Sequence, residues 1–362
     1  MVQLEIVTAS NAALFSRPIT AVFVGGATGI GHLAVRAFAA AHGTTGQGLN
    51  LYLVGRNEVA ANEIINDCQK VCPAAEFTFI PGGDLTLLAS VSKLCTTIIE
   101  TITKDSNGAK PHIDLLVMTQ GTLYFDGRRE TSEGLDQLMT LLYYSRMLLT
   151  TNLAPLLTSG PAPGHVVSVY APNRDTMGGA TFKTADISLR DPKNYGFGAM
   201  GAHVAYMTTF FFERLAADHA GRLSLCHYFP GLVEGPGFDN EGIPKWVRVA
   251  AKVVLPLVRR WACVPNGESG QRVVFHATDT MFPASGANAA TKKKSGVYEE
   301  LKIAKASDGV VGGGAYRCNW NNEIIETPKS YVKLRADGVA DKVWEHTNQV
   351  FKDIAQKGKT EV

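Results

Sequence analysis

Residues 19–42 read ITAVFVGGATGIGHLAVRAFAAAH, and every other part of the chain takes its place around this stretch. Residues 19–24 are an apolar, β-branched run, too short for a helix and closed by glycine, so they predict a strand. Gly25, Gly29 and Gly31 break it, and HLAVRAFAAAH then resumes with apolar residues at helical spacing. A second buried run at 51–54 (LYLV) completes a strand–turn–helix–strand unit. Each glycine has a physical task in such a unit. Gly25 allows the tight turn, Gly29 lets the backbone approach a pyrophosphate, and Gly31 lets helix and strand pack closely. Thr28, Gly29 and Ile30 open the helix, where unpaired N–H groups and a partial positive charge suit phosphate. The stretch therefore predicts a nucleotide site.

Outward from this unit the alternation continues. Helices are expected at 61–71, 90–103, 135–157 and 199–217, and strands at 77–80, 113–118, 165–170 and 223–229. The run at 113–118 (IDLLVM) lacks polar alternation, as a parallel strand covered on both faces does. The fold class is α/β, a doubly wound parallel sheet of the Rossmann type. Residues 1–18 are expected to be a leader, 19–235 the nucleotide-binding core, 236–284 a lid with a following helix at 267–279, and 285–362 an extension packed on the core. In the lid segment Trp246 and Trp261 bracket a stretch apolar on one side and basic on the other, with Pro256 as a break. Its position after the sheet's carboxyl edge predicts a cover over an apolar substrate pocket. A membrane-surface helix and a plain packed helix pair are the alternatives.

Composition bounds the function. Hydrophobic residues make up 45% of the 362 and charged residues 19%, which excludes disorder throughout the chain. Lys and Arg number 35 against 33 Asp and Glu, leaving no large basic excess for a nucleic-acid backbone. Of six cysteines only Cys68 and Cys72 are close, and no second pair follows at ligand spacing, so free thiols and no metal are expected. The start carries no basic patch followed by an apolar core, and no apolar run reaches about 18 residues, so a cytoplasmic protein is expected.

The second strand ends Val54-Gly55-Arg56-Asn57. A carboxylate at this position would bind ribose hydroxyls; here Arg56 offers a planar cation to a 2′-phosphate, which favours NADP(H) over NAD(H). Asp84 and Leu85, in GGDL after the third strand, are placed to meet the adenine amino group, and Asp84 could also cap the helix that follows.

These segments resemble the short-chain dehydrogenase/reductase superfamily over about residues 19–235. VFVGGATGIG is similar to its glycine motif, GGDL to its adenine motif, and LVMTQG (116–121) to its Asn-Asn-Ala-Gly element in altered form. Pro230-Gly231-Leu232-Val233 is similar to its Pro-Gly motif beside the nicotinamide. TASNA near the start and KVWEHTNQVF near the end resemble a fungal branch associated with secondary metabolism. The resemblance implies cofactor contacts from Gly121, Pro230, Gly231 and Val233, in addition to the residues above. It also implies a Tyr-x-x-x-Lys pair, a Ser and an Asn. Aligned by helix period, this chain puts Phe197 at the Tyr, Gly201 at the Lys, Tyr170 and Ala171 at the Ser pair and Leu142 at the Asn. Displaced substitutes are Tyr195, two residues before the expected Tyr, and Tyr170 at the end of the fifth strand. Tyr124 falls near the expected pocket mouth, and His203 is expected to face away from the cofactor. Three functions stay open: an NADPH-dependent oxidoreductase acting on a hydrophobic ketone or alcohol, a non-redox isomerase, cyclase or dehydratase, and a catalytically dead nucleotide-binding protein.

Overall fold

A computed structural model describes residues 1–122, 124–125, 127–177, 181–235, 245–246, 248–249, 252, 259, 261–286 and 301–362. Among them the strands are β1 (Ile19–Val24), β2 (Leu49–Gly55), β3 (Ala75–Pro81), β4 (Leu115–Met118), β5 (Gly164–Val169), β6 (Leu223–Tyr228), β7 (Leu232–Val233), β8 (Cys263–Val264) and β9 (Ala315–Cys318). Seven of these pair in parallel in the order β3-β2-β1-β4-β5-β6-β9, and β7 pairs with β8 apart from them. Val24 faces Val54 on one side and Met118 on the other, so the order reverses at the carboxyl end of β1. That reversal opens a crevice between the loops after β1 and β4, where doubly wound sheets bind ligands.

The strand residues of β1, β4, β5 and β6 are all buried, because helices cover both faces. On one face lie α1 (Leu4–Leu14), α2 (Gly29–His42) and α3 (Glu58–Val71), joined there by the later helix α8 (Asn266–Phe275). On the other lie α4 (Leu88–Asp105), α6 (Ser145–Leu157), α7 (Phe197–Asp218) and α10 (Val339–Lys357). Two short helices, α5 (Gln137–Met139) and α9 (Ser330–Ala336), complete the described set. Within the segment expected to be a leader, α1 packs on α8, and Asn11 Nδ2 donates to Gln271 at 2.7 and 2.8 Å.

The structure departs from expectation at several points, among them the β7–β8 pair. The helix expected over 135–157 is α5, a π-helical segment Thr140–Tyr144, and α6. β9 was not anticipated, because AYRC is short and carries an arginine that β9 buries. Asp84 does not cap α4, which starts four residues later. Glu133 does, its carboxylate accepting from the N–H groups of Leu88 (2.6 Å) and Ala89 (2.9 Å). The cover expected after residue 235, up to residue 260, and the first part of the extension, 287–300, lie mostly outside the described residues.

Candidate active site

A cavity of about 1000 Å³ sits on the carboxyl edge of the sheet, at the reversal of strand order. Its wall runs from the ends of β2 and β3, past the turn after β1, to the ends of β4, β5 and β6.

The glycine turn forms its middle. Gly25 has φ +84°, and a Cβ there would meet Thr119 Oγ1 at 2.7 Å and Gln120 N at 2.9 Å. Gly29 has φ +54° and open space where a Cβ would stand, so its backbone is presented bare to the cavity. Gly31 is not on the wall. A Cβ on it would lie 2.3 Å from Gly25 O, so its lack of side chain seats α2 against the turn. Thr28 and Ile30 line the wall beside Gly29.

At one end stand Arg56, Asn57, Asp84 and Leu85. The Arg56 side chain is exposed and makes no hydrogen bond or ion pair among the described residues. Asn57 caps α3 by accepting from Ala60 N at 3.1 Å. Asp84 is held in a turn by Thr86 N (2.9 Å) and Thr86 Oγ1 (2.7 Å), with its second oxygen left over. Gly121 from the β4 loop and Pro230 and Val233 after β6 line the other end. Gly231, at φ +74°, stays off the wall and turns the chain tightly against Val264 and Trp320.

Leu142, Phe197 and Gly201, which the resemblance aligns with the usual Asn, Tyr and Lys, stand in different surroundings. Leu142 lines the cavity; Phe197 and Gly201 do not. The space a side chain at Gly201 would need is taken by Arg174, whose Nε lies 2.6 Å from a Cβ built there. The Arg174 guanidinium stacks over Phe197 with its carbon 4.8 Å from the ring centre.

Of the two candidate phenols, the structure brings one to the cavity. Tyr170 lines it at the end of β5, stacked at 15° on His227. Burial raises the pKa of its hydroxyl above the ordinary phenol value, against the pull of the nearby Arg174 and Arg146 charges, so the hydroxyl stays protonated. Tyr195 lies off the wall. Its hydroxyl donates to Asp136 Oδ2 at 3.0 Å, and burial together with that carboxylate holds it protonated. Asp136 also accepts from Met139 N at 2.9 Å, so Tyr195 is tied into the cap of α5. Tyr124, though buried, is not on the wall. His203 faces away as expected: its Nε2 accepts from Lys183 N at 2.9 Å, and burial pulls its pKa down to about 4.

Arg146 went unrecognised in the sequence. It lies in the first turn of α6, lines the cavity, and is 1% exposed. Its guanidinium donates to Gln120 O (2.6 Å), Ser168 Oγ (2.8 Å), Val169 O (2.9 Å) and Leu141 O (3.3 Å). The π segment helps aim it. Ser145 N reaches back five residues to Thr140 O, and Leu141 O is left to Ser145 Oγ and Arg146 Nε. A sequence signal existed: Arg146 is the one charged residue in the apolar run 138–157. Beside it Gln120 Oε1 is buried on the wall without a partner among the described residues.

No family model matches the chain. Curated relatives do. Short-chain dehydrogenase/reductase SAT2 of Stachybotrys chartarum is 35% identical over 362 residues, covering 99% of each chain. Oxidoreductase AN1596 of Emericella nidulans is 34% identical, covering 97% of this chain and 98% of its own. Among solved structures, a short chain dehydrogenase of Shigella flexneri complexed with NADP superposes with a TM-score of 0.52 at 17% identity, over 74% of this chain and 95% of that one. The Pseudomonas aeruginosa RhlG/NADP active-site complex gives 0.50 at 16% identity, over 72% and 89%.

Proposed function

The chain belongs to the short-chain dehydrogenase/reductase family, and from that premise we propose that it is an NADP(H)-dependent oxidoreductase reducing a hydrophobic small-molecule ketone. The observation that carries this is the continuous cavity with a bare glycine backbone at its middle and an unpaired cation at one end. The residues present fit the cofactor. Gly29 and the start of α2 would hold the pyrophosphate, Arg56 the 2′-phosphate, and Asp84 the adenine amino group. Gly121, Pro230 and Val233 would border the nicotinamide, and the orphaned Gln120 Oε1 gives a carboxamide N–H a partner. When bound, the reduced cofactor supplies hydride. The chain's own contribution is to orient the ketone against apolar Leu141, Leu142 and Val169 and to donate a hydrogen bond from Tyr170 to its oxygen. With no lysine at position 201, Tyr170 acts as an acid, which suits carbonyl reduction better than alcohol oxidation. The fungal relatives support a place in secondary metabolism.

A second reading, a non-redox isomerase, cyclase or dehydratase, draws support from the apolar residues at three of the usual catalytic positions. One experiment separates the two. The protein is incubated with NADPH and hydrophobic ketones while nucleotide absorbance and product mass are followed. Loss of NADPH with a gain of two mass units supports reduction; product formed with NADPH intact overturns it in favour of the non-redox reading.

A further inference from the structure

Among the described residues three arginines are fully buried, Arg146, Arg272 and Arg317. Two are neutralised where they lie. Arg317 meets Asp175 at 2.7 Å, and Arg272 meets Glu268 at 2.6 Å. Arg146 is the exception: the partners of its guanidinium are three carbonyls and a hydroxyl, all neutral. A buried cation without a counter-ion carries a large desolvation penalty that a leucine in the same apolar helix would not. Burial pulls the pKa of Arg146 down to about 9, a value that still leaves it charged near neutrality.

This uncompensated charge stands on the cavity wall next to Tyr170, whose hydroxyl has no hydrogen-bond partner among the described residues. Arg174 adds a second positive charge on the same phenol, and its Nε is buried and unpartnered. Glu234 also lines the cavity, but it is exposed and forms no ion pair with Arg146 among the described residues. The phosphate-binding features lie elsewhere, at the ends of β1 and β2, so the β4–β5 end has a cation to spare. Around it the wall is apolar, with Leu141, Leu142 and Val169.

We propose that Arg146 and Tyr170 form an anion subsite, so that the substrate is a hydrophobic molecule held by an anionic oxygen: a carboxylate, an enolate or a phenolate. The proposal builds on the oxidoreductase reading in placing the substrate at this end of the cavity, but its test requires no turnover. The guanidinium offers one N–H beyond those its four partners take, the phenol offers another, and the fixed charge strengthens both. The same charge would favour the alkoxide that develops when a carbonyl is reduced.

A matched pair of probes tests this: 1-naphthoate, and the neutral 1-naphthalenemethanol of similar shape. Binding to the full chain is measured by fluorescence with saturating NADP⁺, which blocks the phosphate end, and again without nucleotide. Wild type is expected to bind naphthoate at least about ten-fold more tightly than the alcohol. Arg146→Lys should keep the preference, Tyr170→Phe should reduce it, and Arg146→Gln should bring it within about two-fold. Equal affinities in wild type, or a preference that survives Arg146→Gln, overturn the subsite. If Arg146→Gln shows no cooperative thermal transition, the decision falls to wild type and Tyr170→Phe, and a preference unchanged by loss of the hydroxyl overturns it. A preference that vanishes in Arg56→Glu instead places the anion at the phosphate end and also overturns it. Failure of the oxidoreductase reading is seen separately, as absent NADP⁺ binding in calorimetry.

Discussion

Two phenols could be named from the sequence, and their surroundings separate them. Tyr170 ends a strand at the carboxyl edge and opens onto the cavity, while the Tyr195 hydroxyl is occupied by the buried Asp136. Tyr170→Phe should therefore lower ketone-reduction turnover by about 10²-fold with little loss of stability. Tyr195→Phe should leave turnover within about two-fold and instead cost about 2 kcal/mol in denaturant unfolding, the scale of a hydrogen bond to a charged group. The opposite pattern would return Tyr195 to the chemistry. At the other end of the cavity Arg56→Glu should weaken NADPH by about 1.5–3 kcal/mol and leave NADH almost untouched, measured by calorimetry. Equal losses for both nucleotides would mean that Arg56 does not meet the 2′-phosphate. Arg56, Asp84 and Pro230 were legible because each follows a strand end that hydrophobic patterning locates. Arg146 and Glu133 were not. The lone charge of Arg146 in its apolar run marks it as unusual, but the task of each depends on what lies across a loop or 44 to 45 residues upstream, which local pattern does not specify.

Elements were legible where one physical demand dominates. β1, α2 and β2 follow from an apolar run, three glycines and a helical period, and the parallel strands from apolar runs without alternation. The π segment Thr140–Tyr144 was not legible, since its residues are as helical in type as their neighbours and what marks it is the partner found by each carbonyl. β9 escaped because its pairing with β6 joins residues some 90 positions apart, and Arg317 is tolerated there by Asp175 from the loop after β5. The turn between β1 and α2 yields a direct test. In Gly31→Ala the new methyl carbon would stand 2.3 Å from Gly25 O and 2.6 Å from Thr119 Oγ1, neither of which is the free end of a long side chain. α2 must then shift away from the turn. The variant should lose about 1–3 kcal/mol of stability and bind NADPH at least about ten-fold more weakly. Wild-type values in both denaturation and calorimetry would show that the turn can give.

At the scale of the molecule, two apolar cores hold the sheet between them, and both trap ionisable groups that composition alone would count as surface charge. Among the described residues no helix is long and apolar enough to cross a membrane. His203, His227 and His276 are fully buried, and burial depresses all three: His203 to about 4, His276 to about 3, and His227 well below its usual value, with Arg317 and Arg146 adding to the effect. A histidine depressed on folding contributes stability that is fully present above its unfolded pKa of about 6.5. That contribution is lost as pH falls toward the folded value, because the unfolded chain takes up protons that the folded chain refuses. His112 has the opposite sign: its bond to Asp114 raises it, so it acts just above pH 6.5 and adds no slope below. Asp114 is opposed by burial but lowered overall by His112, Thr20 N and Arg17, and it matters only as pH drops through the carboxylate range. His346 is depressed in the same way, to about 4, and burial lowers His32 as well, so between about pH 6 and 5 these histidines act together and in one direction. Each proton is worth about 1.4 kcal/mol per pH unit, so four strongly depressed histidines should make unfolding free energy fall by at least about 5 kcal/mol per unit in that window. Urea titrations at pH 7.5, 6.0 and 5.0 measure the slope. A flat profile would require the histidines to be protonated inside the fold, where His227 finds no acceptor for either ring nitrogen among the described residues.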